Sequence, residues 1–410
     1  MLARLRKLTL VAALAVTTLV APAVTASPAS AADVLAPDDD PFYAVPSRLD
    51  TKRDGTVLRF RRLPSSALAV PAPAHVWQLL YKTRDNAGKP TATVGTLLVP
   101  TAGWTGGGER PLLSYQTPED GLATTCAPSY LLRAGSVTYD QPSEGQARFD
   151  RDQVADAVHR GWAVMVPDYE GPRSEFLGTE AAAHGVLDGI RAARSFPLAR
   201  VDRDAPIGLW GYSGGGLATA AAAQRQARYA PELEISGIAE GGVVADVNAA
   251  IGALSGQVFS GWLPFGFAAL RNAHPRANVD QYLNTLGRES ADKVAHGCAG
   301  AAIVGGPHFA TVQQFEASPG SLTSGAFHDL AHGVSPVGMG GTPTAPVLMY
   351  HGTADELLPI SAARELAAQY RARGADVVMV EHEGQTHGAE QTVGVAGAVA
   401  FLQERFSAAR

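Results

Sequence analysis

The sequence predicts an α/β fold in which a mainly parallel sheet is covered by helices on both faces. Beyond residue 100, short apolar segments alternate with segments of helical pattern, which is typical of parallel strands joined by crossover helices. Before residue 100, three strand-like segments lie close together in the chain, which favours antiparallel pairing. The length of 410 residues, with 46% hydrophobic and 18% charged residues, is typical of one large globular domain with an insertion.

The predicted elements follow from these patterns in chain order. The antiparallel strands are expected at 57–61, 76–81 and 93–99. The remaining strands are expected at 112–115, 163–166, 207–210, 235–239, 347–350 and 377–380. Helices are expected at 152–159, 180–194, 217–228, 362–373 and 395–405. The segment between the strands at 235–239 and 347–350 breaks the alternation, and it is too long for a structureless loop in a compact domain.

We therefore predict a helical cap or lid at 244–328, inserted between two parts of a core domain, 32–243 and 329–410. The insertion contains an aromatic and glycine-rich patch at 259–267. Such a patch suits the wall of a pocket for an apolar substrate, and it suits the cap's own small core equally well.

The N-terminus has the pattern of a secretory signal peptide. Arg4, Arg6 and Lys7 precede a short apolar run at 8–20, and small residues at 29–31 predict cleavage near Ala31. The alternative is an uncleaved membrane anchor, although the run is short for a membrane span. We expect residues 1–31 to be removed and the mature protein to be secreted, with no transmembrane segment.

The net charge bears on the class of binding partner, and the cysteine content bears on disulfide formation and metal binding. The net charge is −6 and no basic cluster follows residue 62, which argues against nucleic acid as a partner. The two cysteines, Cys126 and Cys298, favour one disulfide in an exported protein, and two buried free thiols are the alternative. Metal binding is less favoured, because no Cys-x-x-Cys motif or histidine cluster accompanies them.

The residues at 211–215, Gly-Tyr-Ser-Gly-Gly, match the G-x-S-x-G motif. They follow an apolar strand and precede an alanine-rich helix, which is the context of a nucleophile elbow with Ser213 as the nucleophile. Glycines at 211 and 215 allow the helix to pack closely against the strand, and the N–H of Gly214 faces the space where an oxyanion would form. Antiparallel strands followed by a wound parallel sheet with this elbow form the α/β-hydrolase arrangement.

A serine nucleophile needs a histidine base and an acid that orients it, and in this fold both follow later strands. Asp355 lies after the strand at 347–350 and is the predicted acid, with Glu356 as the alternative. His387 lies in the predicted loop after the last strand and is the predicted base. We interpret His351 and His382 as structural.

Further motifs resemble the secretory lipase family, the family of fungal lipase A. They are Ser-Tyr-Gln-Thr-Pro-Glu-Asp at 114–120 with Cys-Ala-Pro-Ser-Tyr at 126–130, Asp-Tyr-Glu-Gly-Pro at 168–172, and the elbow. The resemblance implies that Asp120 supplies the second oxyanion donor beside Gly214. It also implies a Cys126–Cys298 disulfide and a lid. From the residues alone, Asp120 could equally be a turn residue.

These observations predict a secreted serine hydrolase that cleaves acylglycerol esters in lipid catabolism, a triacylglycerol lipase. Its partner would be an ester or lipid substrate, met in some cases at a lipid–water interface. It would need no metal or organic cofactor and is expected to be a monomer. The alternatives are a carboxylesterase or acyltransferase for short or bulky esters, and a non-catalytic secreted lipid-binding protein.

Overall fold

The structure is a computed structural model that describes residues 34–65, 72–134, 143–300 and 305–409. Within these ranges nine strands form one sheet. The strands are β1 (Val57–Leu63), β2 (Ala74–Arg84), β3 (Pro90–Pro100), β4 (Leu112–Gln116), β5 (Ala163–Pro167), β6 (Ile207–Tyr212), β7 (Ile235–Gly241), β8 (Val347–Gly352) and β9 (Val377–His382). All nine coincide with predicted strands. The predicted signal peptide at 1–31 lies outside the described residues.

The strand order is β1-β2-β3-β5-β4-β6-β7-β8-β9. Strands β1 to β3 form an antiparallel meander, and β3 also pairs antiparallel with β5. Strands β4 to β9 run parallel to one another. The loops that follow β4, β6, β8 and β9 therefore leave the same edge of the sheet, where ligands bind in open α/β folds.

The described helices follow the expected alternation. They are α1 (Pro128–Ala134), α2 (Ser143–His159), α3 (Thr179–Ser195), α4 (Gly214–Tyr229), α5 (Val247–Leu254), α6 (Trp262–Ala273), α7 (Thr285–Val294), α8 (Gly325–Val334), α9 (Pro336–Met339), α10 (Ile360–Ala372), α11 (His387–Val393) and α12 (Val395–Ala408). Helices α3, α4 and α10 contribute apolar side chains to the core on one face of the sheet. Helices α2 and α12 do so on the other face. The predicted fold class, an α/β-hydrolase fold with helices on both faces, is confirmed.

The inserted segment lies between β7 and β8 and contains α5 to α9. It has its own apolar cluster, built from residues of α5, α6 and α8 and reaching Phe176, Leu177 and Leu217 of the sheet domain. The boundaries of the cap at 244 and 328 stay a prediction. No helix in the described part of the chain is both long and apolar enough to cross a membrane.

Strand β7 carries a carboxyl group into the core. The side chain of Glu240 is fully buried, and neither of its oxygens has a hydrogen-bond partner. Burial raises the pKa of Glu240 from 4.5 to about 8. Because the folded state then retains a proton that the unfolded chain loses, this group makes folding less favourable as the pH rises from about 4.5 to about 8.

We predict that Glu240→Gln, which is neutral at every pH, weakens the pH dependence of stability. The free energy of unfolding of the wild type should fall between pH 5 and pH 8 by on the order of 2–4 kcal/mol more than that of the variant. Denaturant unfolding at both pH values measures the difference. Glu234→Gln, at an exposed position just before β7, is the control and should behave as the wild type. Equal slopes for Glu240→Gln and the wild type would contradict the prediction.

Candidate active site

Ser213 lies at a sharp turn between β6 and α4. Its φ of 55° and ψ of −122° place a non-glycine residue in a rarely populated region of backbone conformation. The turn requires glycines on both sides. A Cβ on Gly211 would lie 2.2 Å from the carbonyl oxygen of Gly215, and a Cβ on Gly215 would lie 1.9 Å from that of Gln116. The sequence is therefore compatible with this close approach only because both positions are glycine.

Ser213, His387 and Asp355 form a continuous chain of hydrogen bonds. Nε2 of His387 lies 2.9 Å from Oγ of Ser213, and Nδ1 lies 2.7 Å from Oδ2 of Asp355. In the tautomer that fits this order, Nδ1–H donates to the carboxylate and Nε2 accepts the serine proton. The structure thus brings together the three residues that the sequence places far apart in the chain.

The Asp355 carboxylate is buried and fully hydrogen-bonded. Its Oδ1 accepts main-chain N–H groups from Leu357 at 3.0 Å and Leu358 at 2.8 Å. Burial opposes ionisation, but hydrogen bonds from His351, His387 and the main chain of Leu358 outweigh it and hold the pKa of Asp355 below its usual value. Asp355 therefore remains negatively charged beside the imidazole over the whole physiological pH range.

His351 and Glu356 also support this arrangement. Nε2 of His351 lies 2.9 Å from the carbonyl oxygen of Leu358 and 3.2 Å from Oδ2 of Asp355. Glu356, the alternative acid, instead accepts the main-chain N–H of His387 at 3.1 Å. The ring of His351 therefore contacts Asp355 directly and helps to hold its carboxylate in place.

The structure places His387 at the first residue of α11 rather than in the loop before it. Thr386 caps this helix through its side chain, which accepts the N–H of Ala389. The Tyr212 hydroxyl donates to the carbonyl oxygen of His387 at 2.5 Å. Sequence reasoning missed this role of Tyr212, because no local signal indicates a contact across so many residues. His382 pairs with the buried Glu390 at 2.7 Å, which agrees with its structural interpretation.

Asp120 lies in the loop after β4, opposite the elbow. Its φ of 39° is in the left-handed region. Its Oδ1 packs against Gly214 so closely that a Cβ on Gly214 would lie only 1.7 Å from this oxygen. That oxygen is buried and has no hydrogen-bond partner. Burial raises the pKa of Asp120 to about 7, and the nearby His387 partly offsets this effect. The carboxyl group is thus close to its titration point at neutral pH.

Two buried carboxyl groups hold the loop around Asp120. Glu170 accepts the N–H of Gly121 at 3.1 Å and also faces the main chain of Asp120. Glu119 accepts the N–H of Glu170 at 3.3 Å, and its own N–H donates to the Tyr169 hydroxyl at 3.0 Å. Burial raises the pKa values of both groups well above normal, and repulsion from Asp168 at Glu119 and from Glu119 at Glu170 adds to this effect.

The predicted disulfide between Cys126 and Cys298 is confirmed, with an S–S distance of 2.08 Å. It joins the loop after β4 to the inserted segment. Two main-chain hydrogen bonds lie beside it, from Leu122 to Gly297 and from Ala299 to Asp120, both 3.0 Å long. The inserted segment is therefore fastened directly to the loop that carries Asp120.

An apolar pocket opens in front of Ser213. Asp120, Gly214 and His387 line it beside the serine, and apolar side chains from α5 and α6 form the opposite wall. The aromatic patch at 259–267 divides between the two roles left open by the sequence. Trp262 and Phe267 line the pocket, while Phe265 and Phe267 are both buried in the apolar cluster of the insertion.

Comparison with known proteins assigns the chain to a family. Residues 143–410 match the sequence profile of the secretory lipases. Lipase A of Arthroderma benhamiae is 34% identical, over 90% of this chain and 79% of the relative. A protein of Mycobacterium tuberculosis named "Probable inactive lipase" is 32% identical, over 91% of this chain and 83% of the relative.

A solved structure gives the same assignment. Lipase A of Candida antarctica in its closed state superposes with a TM-score of 0.82 at 26% identity, covering 92% of this chain and 87% of that one. The chain therefore belongs to the secretory lipase family.

Proposed function

We propose that this protein is a secreted serine hydrolase that cleaves acylglycerol esters through an acyl-enzyme intermediate. Because one relative is named as inactive, the proposal depends on the geometry of the site and not on family membership alone. The observation that carries it is the hydrogen-bonded order Ser213, His387, Asp355 at the wall of an apolar pocket. Secretion is part of the proposal and is supported by the signal-peptide pattern of residues 1–31. A monomeric state is a separate part of the proposal.

The reaction begins with attack of the Ser213 hydroxyl on the ester carbonyl while His387 Nε2 takes the serine proton. The imidazolium is stabilised by Asp355, whose carboxylate stays ionised. The tetrahedral oxyanion is held by the main-chain N–H groups of Gly214, at the N-terminus of α4, and Asp120. His387 then gives its proton to the leaving alcohol.

Water hydrolyses the acyl-enzyme by the same route, with His387 again as the base. His351 and Glu356 are positioning residues. His351 holds the carboxylate of Asp355, and Glu356 holds the main-chain N–H of His387. The apolar wall from α5 and α6 would bind the acyl chain by removing its methylene groups from water, at about 0.8 kcal/mol per group.

Replacing the nucleophile tests the reaction scheme. We expect Ser213→Ala to lower kcat for a p-nitrophenyl ester by about 10⁴-fold or more, because no other group can form the acyl-enzyme. Ser407→Ala, at an exposed position on α12, is the control and should retain the wild-type rate. Thermal unfolding checks that both variants fold. Turnover by Ser213→Ala near the wild-type rate would exclude the scheme.

The charge of Asp120 should set the alkaline limit of activity. Above about pH 7 its carboxyl group becomes an anion next to the position of the developing oxyanion, and repulsion raises the barrier. We predict that kcat/KM of the wild type declines as the pH rises through this range. In Asp120→Asn the side chain is neutral at every pH and tolerates a positive φ, so the alkaline decline of kcat/KM should be lost. A pH-stat assay from pH 5 to pH 9 measures both profiles, and an unchanged alkaline decline in Asp120→Asn would contradict the prediction.

The pocket predicts the acyl-chain preference. Gly266 on α6 lines the pocket, and a Cβ there would meet no atom within 4 Å, so a larger side chain would project into open space. We expect Gly266→Phe to lower kcat/KM for a C12 ester about tenfold relative to a C4 ester, because the ring would occupy the acyl site.

Gly252→Phe is the matched control for this substitution. Gly252 is exposed on α5, has equal space for a Cβ, and does not line the pocket. Rates with p-nitrophenyl esters of increasing length measure the preference. If Gly266→Phe and Gly252→Phe share the wild-type profile, the acyl chain binds elsewhere.

A further inference from the structure

Helix α11 carries a second ionisable side chain one turn after the predicted base. His387 and Glu390 are three positions apart on this helix, so their side chains lie on the same face. The Glu390 side chain is fully buried, and its Oε1 lies 2.7 Å from Nδ1 of His382 on β9. Its Oε2 is also buried and has no hydrogen-bond partner. A buried carboxyl oxygen without a partner is costly to the fold, so it needs a physical explanation.

Close packing holds this carboxyl group between α11 and the sheet. A Cβ on Gly394, at the junction of α11 and α12, would lie 2.1 Å from the ring of Tyr350 on β8. The same Cβ would lie 3.1 Å from Oε1 of Glu390. Because residue 394 has no side chain, the strand, the helix and the carboxyl group can meet at this point.

His351 on β8 lies between Glu390 and the acid that orients the base. Its Nε2 lies 2.9 Å from the carbonyl oxygen of Leu358, so Nε2 carries a proton and can also donate to Asp355 at 3.2 Å. Burial raises the pKa of Glu390, and attraction to His382 and His351 lowers it. Repulsion from Asp355 raises the same pKa. Glu390 is therefore close enough to Asp355 for the two charges to interact.

Two tyrosines complete the surroundings of the carboxyl group. Burial raises the pKa values of Tyr212 and Tyr350 above the usual range, and the charge of Glu390 adds to this effect at both. Both hydroxyl groups therefore stay neutral. The titratable groups that surround Glu390 are His382 from β9, His351 and Tyr350 from β8, Tyr212 from β6, Asp355 from the loop after β8, and His387 from its own helix.

We propose that Glu390 is a positioning residue for the reaction, whose buried negative charge stabilises the imidazolium that His387 forms during catalysis. This inference rests on the proposed function, since it adds a residue to the order Ser213, His387, Asp355. A charge that is removed from water acts over several ångströms with little screening, so the carboxylate need not touch the ring. The free Oε2 leaves part of that charge uncompensated by His382.

The alternative is a purely structural pair in which Glu390 and His382 fasten α11 to β9. Glu390→Gln distinguishes the two roles, because it keeps the shape and can still accept a hydrogen bond from His382 but carries no charge. With less support for the imidazolium, the base should become protonated only at a lower pH and should accept the serine proton less readily. A structural pair would change the stability of the protein and leave this pH unchanged.

The measurement is the pH dependence of hydrolysis of a soluble p-nitrophenyl ester. We expect Glu390→Gln to move the midpoint of the acidic limb of kcat/KM down by about 0.5–1 pH unit. The plateau value of kcat should fall about three- to tenfold, with KM within about twofold of the wild type. Thermal unfolding checks that the variant folds. If it does not, Glu390→Gln combined with His382→Gln restores a neutral hydrogen-bonded pair and should move the midpoint in the same direction.

Two further variants serve as controls. Glu383→Gln removes the same charge from an exposed position in the loop between β9 and α11, where water screens it. Its midpoint should stay within about 0.2 pH units of the wild type. Glu390→Asp keeps the charge and should keep the wild-type midpoint, even if the shorter side chain lowers Tm. A wild-type midpoint in Glu390→Gln, or an equal shift in Glu390→Asp, would overturn the proposal.

An NMR titration separates this proposal from the proposed function. In Ser213→Ala protein, the ring signal of His387, identified by its loss in His387→Gln, reports protonation of the imidazole without any turnover. Adding Glu390→Gln should move this titration down by the same amount. That shift, together with a wild type that hydrolyses no ester, would refute the proposed function and leave the role of Glu390 standing. Hydrolysis that depends on Ser213, with both midpoints unchanged in Glu390→Gln, would do the reverse.

Discussion

The strained backbone at Ser213 is the constraint on which the site depends. A φ of 55° at a serine is tolerated because Gly211 and Gly215 let α4 approach β6 and Gln116 at distances that no Cβ would allow. The same turn directs the hydroxyl to the edge of the sheet from which the loops after β8 and β9 leave. The strain is thus linked to function, since it places the hydroxyl within 2.9 Å of the His387 imidazole.

Two buried carboxyl groups near this imidazole have opposite electrostatic states. Asp355 receives several hydrogen bonds, so its charge survives burial and its pKa is lowered. Asp120 has an oxygen without a partner, so burial dominates and raises its pKa to about 7. One acid therefore stabilises the imidazolium as an anion, while the other is largely neutral below pH 7, where a negative charge would oppose the oxyanion.

The sequence predicts the sheet and the central residues because each lies directly after an apolar strand. Ser213, Asp355 and His387 are found in this way, since the carboxyl ends of parallel strands share one edge. The roles of Tyr212 and Glu356 could not be predicted, because their partners are distant main-chain atoms of His387 that only the folded chain brings near.

Asp120 shows the limit of local reasoning in another way. Its conformation is set by contacts with residues 169–170 and 297–299, so only a family resemblance indicated its place. The insertion was predicted as a unit from its length.

The most direct test of the central claim is to map the covalent adduct of a p-nitrophenyl alkylphosphonate on the folded wild-type protein by mass spectrometry. The reagent mimics the tetrahedral intermediate and reacts with a serine that an adjacent base activates. The account predicts one adduct per chain, on the peptide containing Ser213. A folded protein that forms no adduct, or that carries it on another residue, would contradict the account.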